Sequence, residues 1–91
     1  MRFEWDSQKA ETNRRKHGVS FEEAATVFYD PLAATFGDER HSDDEQRFIT
    51  IGYSAHGELL VVSHAERELA TRIISARVAT AHERRAHENE G

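Results

Sequence analysis

Apolar and polar positions along this chain change period several times, and each change marks an element. Arg2-Phe3-Glu4-Trp5 alternates polar and aromatic residues, the period of a short strand that buries Phe3 and Trp5. Asp6 then suits a helix N-cap, the polar run from Ser7 to His17 reads as the helix, and Gly18 stops it. Ala10 is the lone apolar residue of that run, so the helix must pack lightly or be covered. Ser20-Phe21-Glu22-Glu23 has the spacing of a capping box and opens a second helix, expected to reach Tyr29. Phe21, Ala24, Ala25 and Phe28 fall at core spacing along it, and Val19 and Ala24 can form a staple across its start. Asp30-Pro31 ends it, because proline has no N–H to donate and holds the residue before it out of the helical region.

The second half reads as strands. Leu32 to Phe36 is expected to be a short one, followed by an acidic loop over positions 37–45. Gln46 to Ser54 alternates, Ala55 to Glu58 turns, and Leu59 to Ala65 is apolar on nearly both faces, as the central strand of an antiparallel meander would be. Glu66 to Leu69 is expected to turn the chain into Thr71-Arg72-Ile73-Ile74-Ser75-Ala76-Arg77, a β-branched run. Regular alternation would place Arg72 with Ile74 and Ala76 on one face, and Arg77 with Ile73 and Ser75 on the other. An arginine beside a serine on a face of small residues suggests an open, functional surface; the alternative is a strand-end arginine whose head reaches into water. Positions 78–85 read as a terminal helix, with Asn89 to Gly91 fraying. The expected class is α+β, in a single domain spanning 1–91.

Composition narrows the possibilities. A chain of 91 residues with 37% hydrophobic content has one modest core. No run approaches the roughly 20 apolar residues of a membrane span, and Met1 to Asp6 does not read as a signal peptide, so none is expected. The absence of cysteine excludes disulfides, thiolate zinc sites and cysteine nucleophiles, and fits the reducing cytoplasm. A net charge of −5 argues against a general nucleic-acid binder, but the charge is uneven. Asp38, Glu39, Asp43, Asp44 and Glu45 crowd one loop, while Arg14-Arg15-Lys16-His17 closes the first helix. A local basic face is therefore compatible with an acidic total. On the first helix Lys9, Asn13 and Lys16 share a face, either a solvated stripe or one that contacts phosphate.

Several fixed spacings run through these elements. They are Phe3-x-Trp5-Asp6-x-x-Lys9-x-x-x-Asn13-x-x-Lys16-His17-Gly18-Val19-x-Phe21-Glu22-Glu23-Ala24, Val27-Phe28-x-Asp30-Pro31, His41-Ser42-x-x-Glu45-x-Arg47, Ile51-Gly52-x-Ser54, Arg72-Ile73-Ile74-Ser75-Ala76-Arg77 and Glu83-Arg84. In this string the chain resembles the BrnT toxins over essentially its whole length. The resemblance implies a RelE-like fold, a small curved antiparallel sheet with two N-terminal helices and a C-terminal helix. It implies a bacterial type II toxin, a ribonuclease that cleaves RNA and arrests growth. It also implies a BrnA-type antitoxin partner, a ribbon-helix-helix DNA-binding protein that blocks the toxin in a heterotetramer and with it represses the shared operon. One departure is visible: Ala86-His87 stands where the family pattern leads one to expect an aromatic.

Under that reading, arginines on or beside the sheet would stabilise the charge of a pentavalent phosphorane, since a guanidinium binds phosphate oxygens bidentately and keeps its charge. Arg77 and Arg67 rank first as catalytic residues, then Arg72, with His64 as the acid or base by titration range. Lys9, Asn13, Lys16, Arg47 and Ser75 form the expected RNA- or antitoxin-binding set. No metal or other cofactor is expected. His82 and His87 are five apart and do not align on a helix, and His41 with Asp38, Asp43 and Asp44 would hold a cation weakly. A non-catalytic interaction module, a degenerate toxin acting as co-repressor of a DNA-binding antitoxin, is the alternative.

Overall fold

A computed structural model describes residues 1–41 and 45–90; Ser42, Asp43 and Asp44 of the acidic loop, and Gly91, lie outside the described residues. Among the described residues five strands form one sheet in the order β1-β5-β4-β3-β2: β1 (Phe3–Glu4), β2 (Ala34–Gly37), β3 (Arg47–Tyr53), β4 (Leu59–Arg67) and β5 (Ala70–Val78). Three α-helices of the described residues accompany it: α1 (Ser7–His17), α2 (Phe21–Thr26) and α3 (Ala81–Glu90). The class is α+β, but the sheet is mixed rather than wholly antiparallel. β1 runs parallel to β5, with Phe3 opposite Thr71, and the Thr71 N–H donates to the Arg2 carbonyl at 2.8 Å. The central strand is β4, as its apolar run predicts, antiparallel to both neighbours.

The helix ends follow local chemistry. The Asp6 carboxylate accepts from the N–H groups of Gln8 and Lys9, and Gly18 closes α1 in the left-handed region at φ 71°, where a Cβ would be strained. Ser20 caps α2 by accepting from the Glu23 N–H at 3.0 Å. Only half of that capping box forms, because the Glu23 carboxylate instead accepts from the Ser54 hydroxyl at 2.8 Å and ties α2 to the end of β3. After Thr26 the helix tightens into a 3₁₀ turn at Val27–Tyr29.

Three boundaries differ from expectation, each for a visible reason. β2 begins at Ala34, since Asp30 holds the preceding residues in a turn: its carboxylate accepts from the Leu32 N–H at 2.9 Å and its carbonyl from the Ala33 N–H at 3.1 Å. The expected turn at Glu66 to Leu69 shrinks to Glu68-Leu69, because Glu66 and Arg67 stay paired with Thr71 and Ala70. α3 starts three residues late and continues through Asn89 to Glu90. Val78 still pairs with Leu60, and Thr80-x-x-Glu83 forms a complete capping box, Thr80 N–H to the Glu83 carboxylate at 2.8 Å and Glu83 N–H to the Thr80 hydroxyl at 3.1 Å.

The core lies between α1, α2 and one face of the sheet. Val19, Phe21, Ala24 and Val27 pack on Leu60, Val62, Ile73 and Ala76, with Phe3, Trp5, Ala10, Ala25 and Phe28 around them. Trp5 meets Phe21 edge-on at 5.9 Å. Gly52 lets the segment from Val27 to Ala33 approach the sheet closely. A Cβ there would stand 2.8 Å from that of Ala33 and 3.0 Å from a Val27 methyl. The scarcity of apolar residues on α1 is met by one buried amide. Asn13 Nδ2 donates to the carbonyls of Val19 and Ala76, at 3.0 and 2.8 Å, and its Oδ1 accepts from the Ala76 N–H at 3.0 Å.

Candidate functional site

The face of the sheet opposite the core carries the candidate site, and an irregularity in β5 determines what stands on it. Ser63 pairs with Ser75 and His64 with Ile73, so Ile74 is an extra residue bulged out of the ladder. The bulge resets the alternation. Ile73 and Ala76, three apart, both point into the core, at 2% and 1% exposure. Arg72, flanked by the buried Thr71 and Ile73, and Arg77, following the buried Ala76, therefore emerge on the same open face. This corrects the expected alternation: the arginines do not lie on opposite sides, and it is Ile73, not Ile74, that shares the buried face with Ala76.

Contiguous cavities run along this surface. One, of about 290 Å³, is lined by His17, His41, Arg47, Ser63, Ser75 and Arg77, among others. The next, of about 400 Å³, is lined by Lys9 and Lys16 of α1 and shares His17, Ile74 and Ser75 with the first. Lysines that sequence spacing placed on a helix face thus border the strand residues Ser75 and Arg77. The basic last turn of α1, Arg14 to His17, stands at this end. Arg14 is engaged by Glu11 at 2.7 Å.

The other expected residues sort differently. Arg72 bonds the Glu45 carboxylate, and Arg67 lies 4.0 Å from the same carboxylate, so these two share an anion at the far end of β5. Asn13 is buried as the clamp between α1 and β5; it borders the same cavity as Lys9 and Lys16, but its amide is engaged by backbone partners. His64 faces the helices, on the opposite side of the sheet from Arg77. It is 2% exposed, packs edge-on against Phe28 and stacks on Phe48. Its Nε2 lies 2.8 Å from the Thr50 hydroxyl and its Nδ1 2.9 Å from the Glu66 carboxylate. Burial pushes its pKa down, against the pull of Glu66. His64 is therefore a satisfied core histidine and cannot reach a group bound among the arginines.

Residues of the open face outside the expected set include His17, His41, Asp38, Ser63 and Glu83. His17 and His41 line the cavity, and His41 Nδ1 lies 2.9 Å from the Asp38 carboxylate. Both histidines stand inside the motif string of the resemblance, which was the available signal. Glu83 on α3 accepts from Arg77 through two parallel bonds, each 2.8 Å. Its signal was the Thr80-x-x-Glu83 spacing, the same as that of Ser20 and Glu23. Among the described residues, no group of three or more His, Asp or Glu is placed to hold a metal ion.

The Arg77 bond holds the Glu83 carboxyl down at about 2, from an ordinary 4.5, with Thr80 assisting and partial burial opposing. A depressed carboxylate pKa stabilises the fold above its unfolded value, and the contribution disappears as pH falls through the folded one. Glu83→Gln is accordingly expected to melt below the wild type at pH 5–7, with the gap closing as pH falls from about 4.5 toward 2. Thermal melts across that range check it; a gap independent of pH would mean the pair carries no linkage.

The family model described as ribonuclease toxin, BrnT, of type II toxin-antitoxin system matches residues 5–83. The crystal structure of the Brucella abortus ribonuclease toxin BrnT superposes with a TM-score of 0.70 at 25% identity, covering 88% of this chain and 97% of that one. Among curated protein sequences, none matches.

Proposed function

This chain belongs to the BrnT ribonuclease toxins of type II toxin–antitoxin systems, and from that premise we propose that it is a metal-independent endoribonuclease whose site is the open face of the sheet. The observation that carries the reading is the convergence of Arg47 and Arg77 on one cavity, continuous with a second bordered by Lys9 and Lys16. An RNA strand laid along α1 would have its phosphates met by the two lysines and its scissile phosphate delivered to the guanidiniums. There the charge of the transition state would be stabilised by bidentate donation. Ser75 and Ser63 add hydroxyls beside that position.

Arg67 and Arg72, tied to Glu45, serve as a second cationic contact further along the strand. The fold is read as RelE-like. The partner is a BrnA-type antitoxin of ribbon-helix-helix class, joined to the toxin in a heterotetramer that represses its own operon. Its acidic segments would cover α1 and the arginine face, excluding RNA. Among the described residues no helix is long and apolar enough to cross a membrane, and the proposed compartment is the cytoplasm, where RNA and antitoxin would both reside.

The test is cleavage of labelled RNA, free and on translating ribosomes, by antitoxin-free protein in excess chelator. Cleavage is expected to persist, because arginines supply the charge stabilisation a metal otherwise provides. Activity lost in chelator and restored by magnesium would overturn metal independence. No cleavage in any condition, with binding to the antitoxin retained, would leave the non-catalytic interaction module as the function.

A further inference from the structure

We infer that His41 and His17 are the proton-transfer pair of this site, His41 as the base for a ribose 2′-OH and His17 as the acid for the departing 5′ oxygen. The inference rests on the ribonuclease reading and supplies what the arginines cannot, since a guanidinium keeps its protons throughout the working pH range. Cleaving RNA without a metal needs a proton removed on one side of the phosphorus and one delivered on the other.

Both imidazoles line the cavity that holds Arg47 and Arg77, and they reach it from different elements. His41 ends the 3₁₀ turn Glu39–His41 between β2 and β3, while His17 is the last residue of α1. The Asp38–His41 contact is arranged as a base and its orienting group. The Asp38 side chain is 11% exposed and the His41 ring 64% exposed, so a nearly buried carboxylate holds a ring that faces solvent. A carboxylate accepting at Nδ1 fixes the tautomer with its proton on that nitrogen, which leaves the Nε2 lone pair to take a proton. His17 differs: its side chain has no hydrogen-bond or ion-pair partner among the described residues. It stands where the arginine-lined and lysine-lined cavities meet. A strand bound along both would pass beside it.

The step balances with these groups alone. His41 Nε2 takes the 2′-OH proton as the 2′ oxygen bonds to phosphorus. The P–O5′ bond breaks, and the His17 imidazolium gives its proton to O5′. The products are a 2′,3′-cyclic phosphate and a 5′-hydroxyl, and exchange with water resets the two rings.

The experiment uses full-length protein, with wild type, His41→Ala and His17→Ala assayed on one labelled RNA and on the same RNA carrying a bridging 5′ sulfur at the cleaved position. Each variant is expected to lose about 10²–10⁴-fold on ordinary RNA, the usual worth of a positioned acid or base. A thiolate leaves without needing a proton, so the sulfur substrate is expected to bring His17→Ala back to within about tenfold of wild type while His41→Ala stays impaired. Wild-type cleavage with His41→Ala unimpaired, with no selective rescue of His17→Ala, or with 3′-hydroxyl products would overturn the inference and leave the ribonuclease reading standing. If wild type cleaves neither RNA, both fall together. Melts of the three proteins guard against misfolding; a variant that melts early is replaced by His41→Gln or His17→Gln, to which the same outcomes apply.

Discussion

Arg77→Ala is expected to lower RNA cleavage about 10²–10³-fold, the range of single-donor deletions at charge-stabilising sites, and to abolish growth arrest at moderate expression. Arg77 lines the cavity with Arg47 and Ser75, and its guanidinium is already presented as a two-pronged donor, with Glu83 standing where phosphate oxygens would bind. Substrate must therefore displace Glu83 or share Arg77 with it. The fold should survive the substitution. The Arg77–Glu83 pair is 40% and 31% exposed at its two side chains, and such pairs contribute about 0–1 kcal/mol after solvent screening. Arg77→Lys separates the two roles of the residue, since it keeps the charge and loses the fork. Cleavage rates and melts are measured together. A fully active Arg77→Ala protein, or one that loses activity only because it unfolds, would remove Arg77 from the mechanism.

The second large effect lies one bulge away. Ile73→Ala should destabilise the domain by about 2–5 kcal/mol, the cost of emptying a core site, which is a large share of what a small domain has. Ile73 is 2% exposed, in a cluster with Phe21, Val62 and Ala76. Ile74→Ala should cost much less, within about 1.5 kcal/mol, because Ile74 is half-buried and lines the open cavities instead of the core. Denaturant titration of the two variants decides it. Equal losses, or a larger one at Ile74, would mean that β5 runs without the bulge.

That contrast shows how far the sequence alone reaches. Elements whose signal is local were legible: the alternation of β3, the Asp6 and Gly18 limits of α1, the capping serine of α2 and the apolar run of β4 each rest on a residue and its near neighbours along the chain. So was the family, because a long string of fixed spacings identifies a fold without requiring that its geometry be understood. Chemistry and pattern together made Arg77, Arg47, Lys9 and Lys16 candidates, and the structure brings them to adjoining cavities.

Whatever depended on contacts between distant segments was decided only in three dimensions. Period-two alternation assumes an unbroken ladder, and nothing in Arg72-Ile73-Ile74-Ser75-Ala76-Arg77 announces that β4 skips Ile74, so the faces of Arg72 and Ile74 were misassigned. Asn13 looked like a surface residue because helical spacing reports which residues share a face, not what that face meets. Its amide finds backbone partners in Val19 and, 63 positions away, in Ala76. His64 looked available because a strand-end histidine carries no mark of the aromatic rings that close over it. His17 and His41 stand 24 positions apart, on a helix end and a 3₁₀ turn, and only the packing of α1 beside the bulged strand puts them in one cavity with two arginines. Side-chain type was written in the chain; which side chains share a space was set by the sheet register and the helix clamp, because both are sums of contacts between residues far apart in sequence.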